Sequence, residues 1–360
     1  MPAPASACIN AIGTAVPDHD IHHAFVDWAT PRLSDPRERK LFSRMVGRSG
    51  IAHRWSVLPR TAEGGSPVAP GGFYDHATLP PTSERMSLYG ESAPELACTA
   101  IARLGEQAKL GRISHLIVAS CTGFVAPGID QIIARRLGLD PGVERLLIGF
   151  MGCYAAITAL RTARHIVRSQ PDARVLVVCV ELSTLHLQPH DALEPLLAML
   201  QFGDGAAAAL VTAEPEGIAI GSPFSATLPD SQGLIGWWIG DQGFIMHLSG
   251  EVPSRIQEAL RDPGFRQAVT AGGDVGAIER WAVHAGGRSI LDAVENGLDL
   301  APEALAASRG VLADNGNMSS ATLMFVLARM LGEKAPPESG VAMAFGPGLA
   351  AEGFGFGRAR

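Results

Sequence analysis

The sequence predicts an α/β protein in which helices cover both faces of a buried sheet. Three strand-like segments, 113–120, 145–150 and 174–182, are rich in Val, Ile and Leu, and a helical pattern precedes each of them. Strands that are apolar on both faces need cover on both faces, which is typical of mostly parallel sheets with helical crossovers. The 41 Gly and 25 Pro in 360 residues supply turns between these elements. We therefore expect a mostly parallel sheet between helices.

The pattern restarts after a polar turn at 214–217. A strand at 205–213 ends the first series, and the second series follows the turn. Its predicted elements are strand-like segments at 218–227, 279–286 and 340–348 and helices at 288–298, 302–316 and 319–331. This break predicts two α/β halves, residues 1–213 and 217–360. No strict repeat relates them, so a duplicated fold is a hypothesis.

The composition indicates a globular protein with no preference for polyanions. The chain is 47% hydrophobic and 18% charged with a formal net charge of −7, so we expect no nucleic-acid partner. No apolar run approaches the roughly 18 residues of a membrane span, and the N-terminus lacks the pattern of a signal peptide. The five cysteines form no Cys-x-x-Cys pair, which indicates reduced thiols. We expect a cytoplasmic protein without a membrane span.

Cys153 is the first candidate for chemistry. It stands where a strand-like run gives way to a helical pattern, and Gly152 allows a tight turn before it. The positive end of a helix dipole favours a thiolate, which is a nucleophile. The alternative is that Cys153 is a small buried apolar residue, as free cysteines often are.

His284 and Asn317 are the second and third candidates. His284 ends a predicted strand before Gly286 and Gly287, and Asn317 follows a turn and precedes a helix. Either residue alone fits a structural role. Together with Cys153 they form a coherent acyl-transfer set of nucleophile, histidine and amide donor. A papain-like protease also uses Cys, His and Asn in this order, but its residues around the cysteine are missing here and the sheet pattern differs.

Five segments identify a family resemblance. They are GFMGCYAA (149–156), FGDGAAAA (202–209), HAGGRSILDAVE (284–295), GNMSSAT (316–322) and FGPG (345–348). Their order and spacing resemble the chalcone-synthase-like type III polyketide synthases, of the bacterial alkylresorcinol and alkylpyrone synthase type, over essentially the whole chain. Ala344 stands where the family usually has a glycine. The resemblance implies a thiolase fold with a duplicated αβαβα five-layer core, a homodimer, and no metal or redox cofactor.

The resemblance also implies the catalytic roles. Cys153 matches the nucleophile that takes a starter acyl group from coenzyme A. His284 and Asn317 match the pair that stabilises the thiolate, polarises malonyl-CoA for decarboxylation and stabilises the enolate. The enolate then extends the acyl chain by two carbons, and one cavity cyclises the product. Acyl-CoA and malonyl-CoA are the expected substrates.

Further residues match the cavity of this family. Phe202 matches a gatekeeper phenylalanine, and Met246 stands at the second gate, where methionine is more flexible than the phenylalanine of plant enzymes. Cys121 matches a position that lines the cavity, and Trp237 falls where it either narrows one side or packs on the sheet. The remaining residues that we place in the cavity are Thr122, Ser319 and Phe345.

Coenzyme A carries phosphates, and residues 39–54 form a basic stretch in an acidic chain. Arg44 matches a family arginine that contacts these phosphates, and Arg48 matches a nearby basic position. Leu41 replaces a family lysine, so the clamp differs in detail. Gly286 and Gly287 are expected to give the pantetheine arm close backbone approach.

Two other motifs carry less weight. The histidines at 19, 22 and 23 lack a supporting carboxylate or cysteine framework, so we expect a solvated loop and no metal site. The closing GFGFGR precedes no strand-to-helix unit and is not interpreted as a phosphate loop.

The product class follows from the bacterial features of the sequence. The segments SCTGF and IGWWIGDQGF, with Met246, favour a fatty acyl starter and an alkylresorcinol or alkyl-α-pyrone product. The alternatives are a β-ketoacyl synthase III, which condenses once onto a carrier protein, and a non-catalytic binding protein of the same fold. The motifs GNMSSA and FGPG argue against the former, and the three catalytic positions against the latter.

Overall fold

The structure is a computed structural model that describes residues 5–76, 78–188, 190–333 and 337–360. The strands in these ranges are β1 (Cys8–Ala15), β2 (His19–Asp20), β3 (Trp55–Ser56), β4 (His115–Ser120), β5 (Glu144–Gly149), β6 (Val175–Leu182), β7 (Asp204–Thr212), β8 (Ile218–Thr227), β9 (Ile235–Gly240), β10 (Gly243–Leu248), β11 (Arg280–Val283), β12 (Gly340–Gly346) and β13 (Ala350–Arg358). The helices are α1 (His22–Ala29), α2 (Pro36–Arg48), α3 (Thr82–Gly105), α4 (Ile129–Arg136), α5 (Ala155–Ser169), α6 (Leu193–Met199), α7 (Val252–Arg261), α8 (Pro263–Val269), α9 (Arg288–Leu298), α10 (Ala306–Asn315) and α11 (Ser320–Leu331). Within the described ranges, no helix is both long and apolar enough to cross a membrane.

Nine strands form one sheet in the order β11-β12-β13-β8-β1-β7-β6-β4-β5. The first half of the chain supplies β5, β4, β6, β7 and β1, and the second half supplies the other four. A short pairing between β1 and β8, Cys8 with Ala219 and Ile9 with Ile218, joins the two sets. The hairpin of β9 and β10 stands apart as a two-stranded sheet.

Both halves repeat the same sequence of strand orientations. In the first half, β1 is antiparallel to β7, β7 is antiparallel to β6, and β6 is parallel to β4. In the second half, β8 is antiparallel to β13, β13 is antiparallel to β12, and β12 is parallel to β11. The two halves therefore share one topology, although no strict sequence repeat relates them.

The helices complete five layers. α5 and α11 pack between the two sets of strands, and their side chains belong to one apolar core with residues of β1, β6, β8 and β13. α3 and α4 cover the outer face of the first set, and α7 and α9 cover the outer face of the second. The duplicated αβαβα core that the resemblance implies is confirmed.

The prediction of a mostly parallel sheet is wrong. Only β4–β5, β4–β6 and β11–β12 are parallel among the pairs of the main sheet within the described residues. Every residue of β7 is buried although both neighbours of β7 are antiparallel to it. A continuous apolar run thus indicates that a strand is buried on both faces. In a five-layer fold, parallel and antiparallel strands can both be buried in this way.

Candidate active site

Cys153 lies in a tight turn between β5 and α5. Phe150 has φ 56° and Gly152 has φ 69°, so the chain passes twice through the left-handed region before the helix. A Cβ on Gly152 would lie 2.6 Å from Cδ of Pro347, so only glycine fits this turn. Residues 152–154 form a short 3₁₀ turn and α5 begins at Ala155, slightly later than the predicted helix start.

The thiol of Cys153 is enclosed by cavity walls. Burial raises its pKa to about 11, while hydrogen bonds with the side chains of Ser319 and Asn317 act in the opposite direction. Desolvation thus favours the thiol form of Cys153 in the free protein. The resemblance implies that His284 and Asn317 stabilise a thiolate, and burial acts against that form here.

His284 directly follows β11 and is 1% exposed. Neither Nδ1 nor Nε2 has a hydrogen-bond partner among the described residues. Burial lowers the pKa of His284 to about 3, so the ring is neutral and both nitrogens are free for a ligand. Buried polar atoms without partners are rare and are typical of functional sites.

The side-chain amide of Asn317 is held in one orientation. Its Nδ2 donates to the carbonyl oxygen of Gly286 at 3.1 Å, and its Oδ1 accepts from the backbone N–H of Ser319 at 2.8 Å. Its backbone pairs with the segment around Phe202: its N–H donates to Gln201 and its carbonyl accepts from Gly203. The amide orientation is therefore fixed, and the second hydrogen of Nδ2 faces the Cys153 thiol, where a bound thioester would also meet it.

One cavity of about 60 Å³, called the catalytic cavity below, brings the predicted residues together. Its walls include the three candidate catalytic residues and all seven predicted cavity residues. These are Cys153, His284 and Asn317, and Cys121, Thr122, Phe202, Trp237, Met246, Ser319 and Phe345. Trp237 does more than pack on the sheet. Its Nε1 donates to the carbonyl oxygen of Cys121 at 2.8 Å, and both residues line the cavity.

A wide groove, called the entrance groove below, adjoins the catalytic cavity. The two share the walls Leu248, Val252, Gly286 and Ile290. The groove is also lined by the predicted Arg48 and Gly287, and by Gln201 and Arg288, which the sequence analysis missed. Arg44 is exposed on α2, one turn before Arg48, and does not line the groove.

Glu181 is the functional residue that sequence reasoning missed most clearly. It is 0% exposed near the end of β6 and accepts from Cys121 N at 3.0 Å, from Thr122 Oγ1 at 2.9 Å and from Ser320 Oγ. Burial raises its pKa, and these donors act against that rise. The signal was present, because a glutamate inside the apolar run VLVVCVEL needs partners.

The N-terminal histidines are not a solvated loop, contrary to our expectation. His19 and His22 are each 3% exposed, on β2 and at the start of α1. His22 Nδ1 accepts from Arg54 Nε at 3.1 Å, and His53 contacts Asp20 at 2.7 Å. In the parts of the chain that the structure covers, no cluster of His, Cys, Asp or Glu is arranged to hold a metal ion.

Comparison with known proteins agrees with this geometry. The family model described as chalcone and stilbene synthases, N-terminal domain, matches residues 2–215, and the model of the C-terminal domain matches residues 220–357. The α-pyrone synthesis polyketide synthase-like protein Pks18 of Mycobacterium tuberculosis is 32% identical over 373 residues, covering 99% of this chain and 92% of its own length. The same protein of Mycobacterium bovis matches equally.

Solved structures give the same answer. PKS-I from the brown alga Ectocarpus siliculosus superposes with a TM-score of 0.89 at 29% identity over 99% of both chains. The C-terminal type III polyketide synthase domain of Steely1 from Dictyostelium gives 0.89 at 26% identity over 99% of this chain and 100% of that domain. The chain therefore belongs to the chalcone and stilbene synthase family and is a type III polyketide synthase, an acyltransferase that condenses with decarboxylation.

Proposed function

We propose that the protein transfers a fatty acyl starter from coenzyme A to Cys153, extends it with malonyl-CoA and cyclises the product to an alkylresorcinol or alkyl-α-pyrone. The observation that carries this proposal is the meeting of Cys153, His284 and Asn317 in one buried, largely apolar cavity. An apolar cavity favours an alkyl chain. The relative named for α-pyrone synthesis supports the product class.

Loading begins from the neutral pair. As Cys153 Sγ attacks the starter carbonyl, its proton moves to a free nitrogen of His284, and the new C–S bond forms. The bond between the carbonyl carbon and coenzyme A then breaks, and the departing sulfur takes that proton. Because the proton leaves the thiol as the C–S bond forms, no free thiolate has to accumulate, and the step proceeds despite the high thiol pKa.

In the extension step, His284 and Asn317 act as hydrogen-bond donors. The thioester oxygen of malonyl-CoA accepts hydrogen bonds from His284 and from the second hydrogen of Asn317 Nδ2, so negative charge on this oxygen is stabilised. The bond to the carboxylate breaks, carbon dioxide leaves, and the electron pair forms the enolate. The enolate carbon attacks the acyl carbonyl on Cys153 and displaces the thiolate. These steps balance without a metal or a redox cofactor, and we expect neither.

The entrance groove suits the arm of coenzyme A. Arg48 and Arg288 lie on its wall and supply positive charge for phosphates, and Arg44 stands one turn away on α2. Gln201 Oε1 is buried without a partner among the described residues, and a Cβ on Gly287 would lie 3.1 Å from it. The amide N–H of pantetheine is a donor that fits this acceptor.

We propose a homodimer that forms through the exposed edge of the sheet. β5 is the last strand, and its Leu146 and Leu147 are 43% and 41% exposed. Phe124, 47% exposed, stacks on Phe150 beside this edge. An uncovered apolar edge strand favours pairing with a second copy.

Cytoplasmic location is part of the proposal, since all five cysteines are free thiols.

The experiment is incubation with malonyl-CoA and acyl-CoAs of increasing length, followed by mass spectrometry. We expect carbon dioxide release and products that contain more than one malonyl-derived unit. A single β-ketoacyl product on acyl-carrier protein would instead indicate a β-ketoacyl synthase III. Binding of acyl-CoA without any turnover would indicate the non-catalytic alternative.

A further inference from the structure

Helix α2 carries a row of cations on one exposed side. Arg37, Lys40, Arg44 and Arg48 are spaced at i, i+3, i+7 and i+11, which places them along one side of a helix with 3.6 residues per turn. All four side chains are exposed, and we call these four residues the basic stripe. Phe42, the buried residue of α2, lies on another side of the helix. The basic stripe therefore faces solvent.

The basic stripe lacks counter-charges in the protein. None of its four side chains forms an ion pair with a carboxylate of the described residues. Other arginines, such as Arg145, Arg161 and Arg174, each pair with an acidic side chain. The chain as a whole is acidic, with a formal net charge of −7. A cationic row without partners is thus a local exception that favours an acidic ligand at this place.

The charges of the basic stripe oppose the stability of α2. Lys40 and Arg44 are four residues apart, as are Arg44 and Arg48, and like charges at this spacing destabilise a helix. Arg37 lies in the first turn, where the helix dipole favours acidic side chains. A sequence that breaks local rules of stability without a gain inside the fold indicates a functional surface. An acidic partner would remove the repulsion.

One end of the basic stripe meets the entrance groove. Arg48 and Met45 line that groove, and Met45 is 42% exposed. Arg37 lies three turns earlier, about 16 Å along the helix axis from Arg48. The phosphates of coenzyme A are expected at Arg44 and Arg48. Arg37 and Lys40 therefore extend beyond the part of the helix assigned to coenzyme A.

An acidic protein fits this arrangement better than a lipid surface. Helices that lie in a membrane interface bury bulky apolar side chains beside their cations. On α2, Met45 alone is a large apolar side chain that is exposed. A small apolar contact with charged residues around it is typical of protein–protein interfaces. The position beside the entrance groove favours a partner that also has an arm to place in that groove.

We propose that the basic stripe docks an acyl-carrier protein, a small acidic protein whose phosphopantetheine arm brings the starter acyl group into the entrance groove. This arm is the same chemical group as the arm of coenzyme A, and the groove offers it the unpaired acceptor Gln201 Oε1. The inference rests on the proposed function, because the acyl group is delivered to Cys153. It adds a second source of the starter, and malonyl-CoA remains the extender.

Transfer from the carrier follows the same chemistry as loading from coenzyme A. Cys153 Sγ forms a bond to the starter carbonyl carbon, and its proton moves to His284. The bond between that carbon and the phosphopantetheine sulfur then breaks, and the sulfur takes the proton. The carrier leaves with a free thiol, so the step needs no oxidant, reductant or further reactant.

The test compares dodecanoyl-carrier protein with dodecanoyl-CoA as starters, with malonyl-CoA as extender in both cases. The stripe variant, Arg37→Glu with Lys40→Glu, reverses two charges and keeps Arg44 and Arg48. We expect kcat/KM for the carrier-bound starter to fall by about tenfold or more, because like charges then oppose docking. The value for dodecanoyl-CoA should stay within about twofold of the wild type. An equal loss for both starters, or no loss for either, would overturn the proposal.

The matched control is Arg103→Glu with Lys109→Glu. Both residues are exposed, at and after the end of α3, and neither lines the entrance groove. This control changes the net charge by the same amount, and both kcat/KM values should equal those of the wild type. The same loss with the carrier in this control would show that only net charge matters and would overturn the assignment to α2. The stripe variant should fold normally, because glutamate near the start of a helix suits the helix dipole.

The remaining outcomes separate this inference from the proposed function and from a lipid partner. Wild-type protein that makes polyketide from dodecanoyl-CoA but none from the carrier-bound starter would overturn this inference and leave the proposed function intact. No polyketide from either starter would refute the proposed function, and this inference with it. Sedimentation with phosphatidylglycerol vesicles should show no binding. Vesicle binding by the wild type that the stripe variant loses would assign the basic stripe to a membrane and overturn the proposal.

Discussion

The two halves of the protein place different chemistry at corresponding points of one topology. β4 corresponds to β11 and α5 to α11 in the shared order of pairing. Cys121 follows β4 as His284 follows β11, and Cys153 precedes α5 as Asn317 precedes α11. In the proposed reaction the first half supplies the nucleophile, and the second supplies the base and the amide donor.

The buried polar groups at these two strand ends also differ in how they are satisfied. Around Cys121, the carboxylate of Glu181 gathers donors from Cys121, Thr122 and Ser320. His284, at the equivalent strand end, has no partner on either nitrogen among the described residues. The comparison suggests different roles in our proposal: the saturated Glu181 holds the cavity in shape, and the unsaturated His284 acts on the substrate.

The largest effect should follow loss of the unsaturated group. His284→Gln removes the proton acceptor of the loading step and should lower the rate of Cys153 acylation by acyl-CoA by about a hundredfold to ten-thousandfold. Release of free coenzyme A in the absence of malonyl-CoA measures it. His165→Gln, an exposed histidine on α5, is the matched control and should retain the wild-type rate. A normal rate in His284→Gln would show that His284 is not the proton acceptor.

Loss of the saturated group should act on stability. Glu181→Leu leaves the three donors unpaired and should lower the free energy of unfolding by roughly 3 kcal/mol, measured by urea denaturation. Glu181→Gln keeps an acceptor oxygen and should cost about half as much or less. Equal stability of Glu181→Leu and the wild type would show that the network does not hold the cavity.

Protonation of His284 should contribute to the pH dependence of the free energy of unfolding. Its folded pKa of about 3 lies below the unfolded value of 6.5, so the unfolded chain binds more protons between these values. The free energy of unfolding therefore falls as pH drops from about 6.5 towards 3, by up to about 1.4 kcal/mol per pH unit for one group. Denaturation curves of His284→Gln should show a smaller acid slope, and an identical slope would contradict a buried neutral ring.

The smallest effect should come from the entrance groove. Gln201→Met removes the unpaired acceptor Oε1 and should raise KM for acyl-CoA about threefold to tenfold with kcat nearly unchanged. Gln131→Met, an exposed glutamine on α4, should leave both constants unchanged. A change in kcat alone would place Gln201 in the chemical step instead of in binding.

The sequence predicted which residues meet in one cavity better than it predicted strand direction. Cys153, His284 and Asn317 stand near glycines at strand or helix boundaries and within the family motifs, and the structure places all three on one cavity. Strand orientation was mispredicted because apolar runs encode burial and not the direction of the neighbour.

The buried contacts of Glu181 and Arg54 were not predicted, for a different reason. Their partners lie far away along the chain: Glu181 accepts from Cys121 and Ser320, and Arg54 donates to Phe202. Local patterns do not encode such contacts. A charged residue within an apolar segment indicates that it has partners but does not identify them.

Acylation of Cys153 tests the central claim most directly. The protein is incubated with acyl-CoA in the absence of malonyl-CoA, and peptide mass spectrometry locates the acyl group. The account predicts one acyl group on Cys153 and none in Cys153→Ala. An acyl group on Cys121, the other thiol of the same cavity, with Cys153 unmodified would contradict it.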